Sequence, residues 1–386
     1  MLENKTHKGR LVTQLNERLK SKEGRDHKVN CYKVANSTIN KGFLDGKSIE
    51  RVIFFLRSKG CDWSTTKGGG CFMCGHYFGT TAGNPLPKGA FYIQFLEEYK
   101  KFDFSKYPML CIYNAGSILN DEEIPRDELY KIFKEISSNN NIKCVVIESR
   151  PEYIDDKVLS DIHHIMKNNR VEIGVGLETA NENIRDLCIN KGFTFQEYEE
   201  IAHKVRKYNN IKLLTYLTIK PLFLTVNESI EDVISNLEKL NKLTDIVSLE
   251  PISIQKGTLV DFLYKNGIYQ IPKGWIVKEL FAELTKRNIN LQFELRIGGF
   301  EFFPIPDKFI SNCPNCNKEL YKAIDLYNSN KSPSGILNLS CQCYNDFKSS
   351  MLIEQKEMGK VNLEERISYL ISGLVLNGSG KLGRTS

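Results

Sequence analysis

From about residue 50 the sequence repeats one pattern that dictates its fold class. Short apolar, β-branched-rich runs fall at 52–56, 109–113, 144–147, 171–177, 212–219 and 246–249. Helix-like stretches separate them, at 91–102, 126–137, 155–167, 195–208 and 228–240. Thr194 and Asn227 are residue types that cap helix N-termini. Strand and helix alternating in this way predict βαβ units with right-handed crossovers and a parallel sheet. Six such units fit an α/β fold built as a barrel or an open partial barrel, here a partial (βα)6 barrel. In such folds chemistry sits at the C-terminal ends of the strands.

The residues that follow each run are therefore informative. The second run leads to Asn114-Ala115-Gly116-Ser117, small residues whose backbone amides can approach a ligand closely. The third ends in Glu148-Ser149-Arg150-Pro151, the fourth in Glu178-Thr179 and the fifth in Lys220-Pro221. The sixth leads into Glu250 to Thr258. Each of these alone is an ordinary strand-end polar residue. Polar groups at every mouth point to a site on that face.

The first run leads into a glycine-rich loop with three cysteines, Cys61, Cys71 and Cys74, spaced C-x9-C-x2-C. Three clustered thiolates can hold a cubane iron–sulfur cluster. Such clusters usually take four cysteines, so three leave one iron open to a ligand that is not protein. The plainer readings are a zinc site lacking a ligand, or structural thiols. A second group lies near the C-terminus, as Cys313-x2-Cys316 and Cys341-x-Cys343. Four thiolates in two short pairs suit a closed tetrahedral zinc site that staples a small lobe. A second iron–sulfur cluster and free thiols are the alternatives.

Further helices are expected at 259–263, 276–285, 318–327 and 363–376, and a strand at 291–297. The domain reading is a basic N-terminal arm at 1–45, a barrel at 46–300, a small C-terminal cysteine-rich lobe at 301–376 and a disordered tail at 377–386. Leu11, Leu15 and Leu19 recur at helical spacing in the arm, which reads either as a packing helix or as a basic helix along a phosphate backbone.

Composition narrows the function classes. With 41% hydrophobic and 26% charged residues the 386-residue chain is globular. No stretch approaches the roughly 18 apolar residues needed to span a bilayer, so no membrane role is expected. The polar N-terminus lacks the apolar core of a secretory signal, which places the expectation in the cytoplasm. Eleven cysteines there point to metal ligation rather than disulfides. The net charge is +6, and residues 1–30 carry eight Lys/Arg against four Asp/Glu. That excess fits a nucleic-acid partner or a solvated basic surface.

A three-cysteine loop after the first strand of such a barrel resembles the radical S-adenosylmethionine (SAM) superfamily. The superfamily's usual spacing is C-x3-C-x2-C. The nine-residue gap resembles branches related to the Elongator-type catalytic subunit. The closest resemblance is to the radical SAM subunit of archaeosine synthase. It is carried by Arg57-Ser-Lys-Gly-Cys-Asp-Trp63, Gly70-Cys-Phe-Met-Cys-Gly75, Gly116-Ser-Ile-Leu-Asn-Asp-Glu-Glu-Ile-Pro125 and Glu148-Ser-Arg-Pro-Glu152. It continues through Gly174-Val-Gly-Leu-Glu-Thr-Ala180, Ile189-Asn-Lys-Gly-Phe193, Lys220-Pro221 and Gln255-Lys-Gly-Thr258, in order through roughly residues 50–270. The C-terminal cysteine pairs resemble that family too. Residues 290–312 resemble it less.

The resemblance implies that Cys61, Cys71 and Cys74 ligate a 4Fe–4S cluster whose fourth iron chelates S-adenosyl-L-methionine. Reductive cleavage would release a 5′-deoxyadenosyl radical. Asn114, Gly116 and Ser117 would hold the methionine end, Arg150 would bind the methionine carboxylate, and Glu148 and Glu178 would bind the ammonium or ribose hydroxyls. The substrate would be tRNA bearing a lysine adduct of a 7-deazaguanine base, and the product archaeosine. The partners would be a lysine-transferring subunit and a ferredoxin-like electron donor. The competing expectations are another Elongator-like radical SAM enzyme acting on RNA or a small molecule, and a non-catalytic zinc-bearing RNA-binding protein.

Overall fold

Strands buried on both faces read as continuous apolar runs, and each of the six runs falls on a strand, the first on the C-terminal half of its strand and the others on most of theirs. The computed structural model describes residues 7–21, 29–65, 69–75, 80–298 and 305–377. Helix α1 (His7–Ser21) precedes a hairpin of β1 (Asn36–Leu44) and β2 (Lys47–Phe55), whose turn places Asp45 and Gly46 at positive φ. Short α2 (Asp62–Thr65) and α3 (Ala90–Tyr99) follow. Strands and helices then alternate as β3 (Met109–Tyr113), α4 (Arg126–Ser137), β4 (Cys144–Glu148), α5 (Asp156–Ile165) and β5 (Arg170–Glu178). The short α6 (Glu182–Ile184) runs into a π turn over Arg185–Ile189. Then come α7 (Phe195–Val205), β6 (Ile211–Ile219), α8 (Val226–Leu240), β7 (Ile246–Pro251), α9 (Leu259–Lys265), α10 (Trp275–Lys286) and β8 (Glu294–Ile297). The C-terminal lobe holds α11 (Asn317–Asn330), α12 (Ser334–Leu337), α13 (Cys343–Met358) and α14 (Leu363–Asn377).

The strands form one sheet in the order β1 to β8. β1 is antiparallel to β2 and every later pair is parallel. Alternation along each strand divides the core. Val52, Phe54, Leu110, Ile112, Val145 and Ile147 face the helices. Ile53, Met109, Cys111, Cys144, Val146, Leu214 and Ile246 fill the inner, concave side. The six expected strands are present, flanked by β1 on one edge and β8 on the other.

Several local expectations change. β1 lies inside the segment read as an arm. It is a polar edge strand, and its residues alternate without an apolar run. Helix α7 starts at the expected Thr194, in a capping box with Glu197. Helix α8 starts instead at Thr225, which forms a capping box with Glu228, so Asn227 is not the cap. Helix α1 is a packing helix over its described residues. Leu11 is exposed, whereas Val12 and Asn16 are buried, and Leu15 and Leu19 pack with Leu259, Leu263 and Ile367. Residues 1–6 and 22–28 of the expected arm, and 378–386 of the expected tail, lie outside the described residues. Among the described residues no helix is long and apolar enough to cross a membrane.

A three-thiol cavity at the mouth of the barrel

The loop after β2 is fixed from several sides. Gly69 and Gly70 have positive φ, and Asn16 of α1 donates from its amide to both of their carbonyls, at 3.0 and 3.1 Å. Asn190 donates to the Gly70 carbonyl at 2.7 Å, while its own carbonyl accepts from the Trp63 indole at 2.7 Å. Phe72 is fully buried; its N–H donates to Ile189 and its carbonyl accepts from Val260. Gln255 accepts from the Gly75 N–H at 2.5 Å. These anchors set Cys61, Cys71 and Cys74 on one wall of a cavity of about 460 Å³. That size falls within the roughly 300–1,000 Å³ of small-molecule sites.

The three thiols feel one another. Burial pushes the Cys61 thiol up to about 12, helped by Glu123 and opposed by Arg150, with Cys71 and Cys74 adding to the rise. Without metal the Cys61 thiol is held protonated, and a bound cluster would reverse this, because a coordinated thiol is deprotonated. Three soft donors on a glycine loop, facing a cavity, fit a cubane with one open iron. No fourth cysteine lines that cavity among the described residues.

The loop after β3 is held from behind by Glu123. This buried carboxylate accepts from the Ser117 N–H at 2.6 Å, the Asp62 N–H and the Asn114 amide at 3.1 Å, and the Asn120 amide at 3.2 Å. Gly116 is required here, since a Cβ would meet the Glu123 carboxylate and the Cys61 backbone. Of the residues expected to hold a cofactor, Gly116, Glu148, Arg150 and Glu178 line the cavity together with the cysteines. Asn114 and Ser117 are buried behind it, bonded to Glu123 and, through the Ser117 hydroxyl, to the Arg150 N–H. They shape the loop from behind.

Arg150 sits between the Trp63 and Phe193 rings, 5.4 and 5.3 Å from their centroids. Its Nε donates to Glu152 at 2.5 Å and its Nη1 to the Lys191 carbonyl at 2.8 Å. Nε and Nη1 each already hold a partner, and Nη2 is what the fork can still offer a ligand. Glu178, at positive φ, accepts from Lys191 at 2.9 Å and from Thr218 at 2.5 Å. Burial disfavours the charge on Lys191, but Glu178 and the nearby Cys71 outweigh it and hold the ammonium above its ordinary range. Gly176 leaves the room that this pair occupies. Lys220, read as a strand-mouth group, turns away: it pairs with Glu354 of α13 at 2.7 Å.

The inner strand positions below the mouth are polar as well. Glu148 lies beside Tyr216, and Gly174 keeps the space between them open. Burial pushes the Glu148 carboxyl up to about 6, against a lowering hydrogen bond from Tyr216 and the charge of Lys191. A raised carboxyl pKa favours folding below its unfolded value, and that contribution is lost as pH rises through 6. The rise from 4.5 to about 6 corresponds to ~2 kcal/mol. Cluster-free Glu148→Gln should therefore resist urea better than the parent at pH 7.5, by ~1–2 kcal/mol, and the gap should shrink at pH 5. An equal gap at both pH values would refute the burial cost assigned to Glu148.

The second cysteine group closes as expected. The sulfurs of Cys313, Cys316, Cys341 and Cys343 all lie within 4.8 Å of one another. Cys313–Cys316 and Cys313–Cys341 are 3.6 Å apart and Cys316–Cys343 is 3.7 Å. Zinc–sulfur bonds of about 2.3 Å in a tetrahedron require edges of about 3.8 Å. The set fits a metal such as zinc.

Sequence reasoning did not single out Glu123, Lys191, Tyr216 or Asn16. Glu123 and Lys191 stand in the phrases quoted above, well past the ends of β3 and β5 in sequence. Tyr216 is hidden as an ordinary strand former inside an apolar run.

No protein-family model matches the chain. The uncharacterized protein MJ0550 of Methanocaldococcus jannaschii is 32% identical over 339 residues, spanning 85% of this chain and 88% of its own. Archaeosine synthase subunit beta of Methanosarcina acetivorans is 28% identical over 329 residues, spanning 84% of this chain and 92% of its own. The protein of that name from Thermococcus kodakarensis is 28% identical over 306 residues, spanning 77% and 90%.

Proposed function

The chain belongs to one family with MJ0550 and the proteins named archaeosine synthase subunit beta, and on that premise we propose that it is a radical SAM enzyme that cleaves the lysine adduct of a 7-deazaguanine base in tRNA to form archaeosine. The observation that carries the reading is the set of three thiols, Cys61, Cys71 and Cys74, opening onto one cavity at the strand mouths that also presents Glu148, Arg150 and Glu178. When bound there, a 4Fe–4S cluster with SAM supplies a 5′-deoxyadenosyl radical.

The chain's own residues do the rest. Cys61, Cys71 and Cys74 hold the cluster. Gly116 lets the backbone after β3 approach the cofactor, and Glu123 keeps that loop in shape. Arg150 offers its Nη2 to a carboxylate, and Glu178, steadied by Lys191 and Thr218, offers oxygens to hydroxyl or ammonium groups. Glu148, Tyr216 and Glu250 form the polar inner wall. A base inside folded tRNA must leave its stack to reach this cavity. The relatives' designation as a beta subunit supports a partner subunit, which for this chain would be the lysine-transferring one. A ferredoxin-like protein would supply electrons, and the four-thiol lobe would carry zinc.

Nucleoside mass spectrometry of tRNA from cells lacking the gene tests the reading. Archaeosine should disappear, and the lysine-bearing precursor should accumulate. Unchanged archaeosine would overturn the substrate.

A further inference from the structure

The parallel sheet leaves a gap between its two edge strands, β1 and β8. Helix α11 of the cysteine lobe lies across it. Asn328, itself buried, accepts from the Ile297 N–H at 2.9 Å and donates to the Ile297 carbonyl at 2.8 Å. Its side-chain amide thus satisfies both backbone groups of one edge-strand residue, as a neighbouring strand would. Lys331 donates to the Leu295 carbonyl at 3.2 Å, pairs with Glu294 at 3.0 Å, and lies 5.7 Å from the centroid of Phe43 on β1. Asp325 pairs with Lys41 of β1 at 2.8 Å. Asp325 and Asn328 lie one turn apart on one face of the helix, Lys331 is the residue just past its end, and together the three touch both lips of the gap. Asp325 and Asn328 also line the three-thiol cavity, as do Lys41, Phe43 and Arg296.

The same helix begins at the four-thiol site. Cys316 is the residue before its first turn, and its carbonyl accepts from Leu320. Twelve residues of α-helix separate Cys316 from Asn328, about 18 Å at 1.5 Å per residue. A metal held by all four thiols would fix one end of a stiff rod whose other end is the cavity wall. Leu320, Ala323, Ile324 and Tyr327 pack its apolar side into the core, so the helix stays docked without metal while its N-terminal anchor is lost.

We propose that α11 completes the barrel as its missing wall element, that Asn328 is the positioning residue holding it to β8, and that the four-thiol site sets the shape of the half of the cavity that receives substrate. The exposed Lys41–Asp325 pair adds little, as solvent-exposed ion pairs do. Asn328 and Lys331 carry the contact.

The test uses the full chain with its iron–sulfur cluster reconstituted. Amide hydrogen exchange is followed at Ile297, whose N–H bonds directly to Asn328, and SAM affinity is measured alongside. Asn328→Ala should raise exchange at Ile297 at least tenfold, and chelation of the lobe metal should raise it in the same direction. Exchange on β4 and β5 and SAM affinity should stay within about twofold. With substrate tRNA, Asn328→Ala should raise KM and release more 5′-deoxyadenosine per product formed. Unchanged exchange at Ile297 in both Asn328→Ala and metal-free protein would overturn the proposal. So would an equal rise across all strands, which is what a purely stabilising lobe would give. The exchange and SAM arms do not need tRNA, so they stand or fall apart from the assigned substrate.

Discussion

Cys71→Ala is expected to retain no 4Fe–4S cluster after anaerobic reconstitution, and its release of 5′-deoxyadenosine should fall below detection, at least a thousandfold. Cys71 is central to the loop, and its neighbours are held independently of its thiol. Phe72 is bonded to Ile189 and Val260, and Gly75 to Gln255. The variant should therefore keep its fold while losing one of three donors, and among the described residues no other cysteine lines the cavity to replace it. Iron and sulfide content, visible absorption and far-ultraviolet circular dichroism separate the two effects. Cys188→Ala is the control, since Cys188 is buried in the apolar cluster that contains Leu187 and Leu222; it should lose some stability and keep the full cluster. Iron retained at the parent level in Cys71→Ala would refute the ligand set.

The second large effect is expected at Lys191. Its ammonium and the Glu178 carboxylate are nearly enclosed, with side chains only 13% and 10% exposed. Removing one partner of a buried pair costs about 3–5 kcal/mol, because the other charge is left uncompensated. Lys191→Ala should lose stability on that scale in urea unfolding of the cluster-free protein. The sign with pH follows from the raised pKa of Lys191. A group whose folded pKa is raised contributes fully below its unfolded value, here the ordinary lysine value of 10.5, and the contribution is lost as pH rises through the folded value. The deficit should thus be constant through neutral pH and narrow only in strong alkali. Adding Glu178→Gln removes the orphaned charge, so the double variant should be more stable than Lys191→Ala alone. A double variant that is worse by the full sum of the two single losses would show that the pair is not coupled.

The barrel was legible because its strands are buried on both faces. Runs such as Cys144 to Ile147 leave no other reading once helical stretches lie between them. β1 was not legible because it is an edge strand. Asn36, Ser37, Thr38, Asn40 and Lys41 satisfy an antiparallel ladder without forming an apolar run. Helix α13 was missed for a related reason: it buries only Phe347 and exposes Leu352 and Ile353, so its sequence carries no apolar stripe.

The site divides in the same way. Both cysteine groups are local in sequence and could be read directly. The partners that make the first one work are brought by the fold. Asn16 arrives from α1, Asn190 from the π turn between β5 and α7, and Gln255 from beyond β7. Asn114 and Ser117 show the opposite case. Position at a strand mouth suggested ligand contact, but a buried carboxylate nine residues past Asn114 draws both inward. A strand-end position therefore says which face a residue occupies, and burial of its neighbours decides which way it turns.

The most direct measurement combines the anaerobically reconstituted protein with SAM, a one-electron reductant and tRNA carrying the lysine-modified deazaguanine. 5′-Deoxyadenosine and archaeosine should both appear, in a ratio near one to one, and both should be absent from the Cys71→Ala reaction. Intact cluster with no 5′-deoxyadenosine would contradict the catalytic reading, and 5′-deoxyadenosine without archaeosine would contradict the substrate.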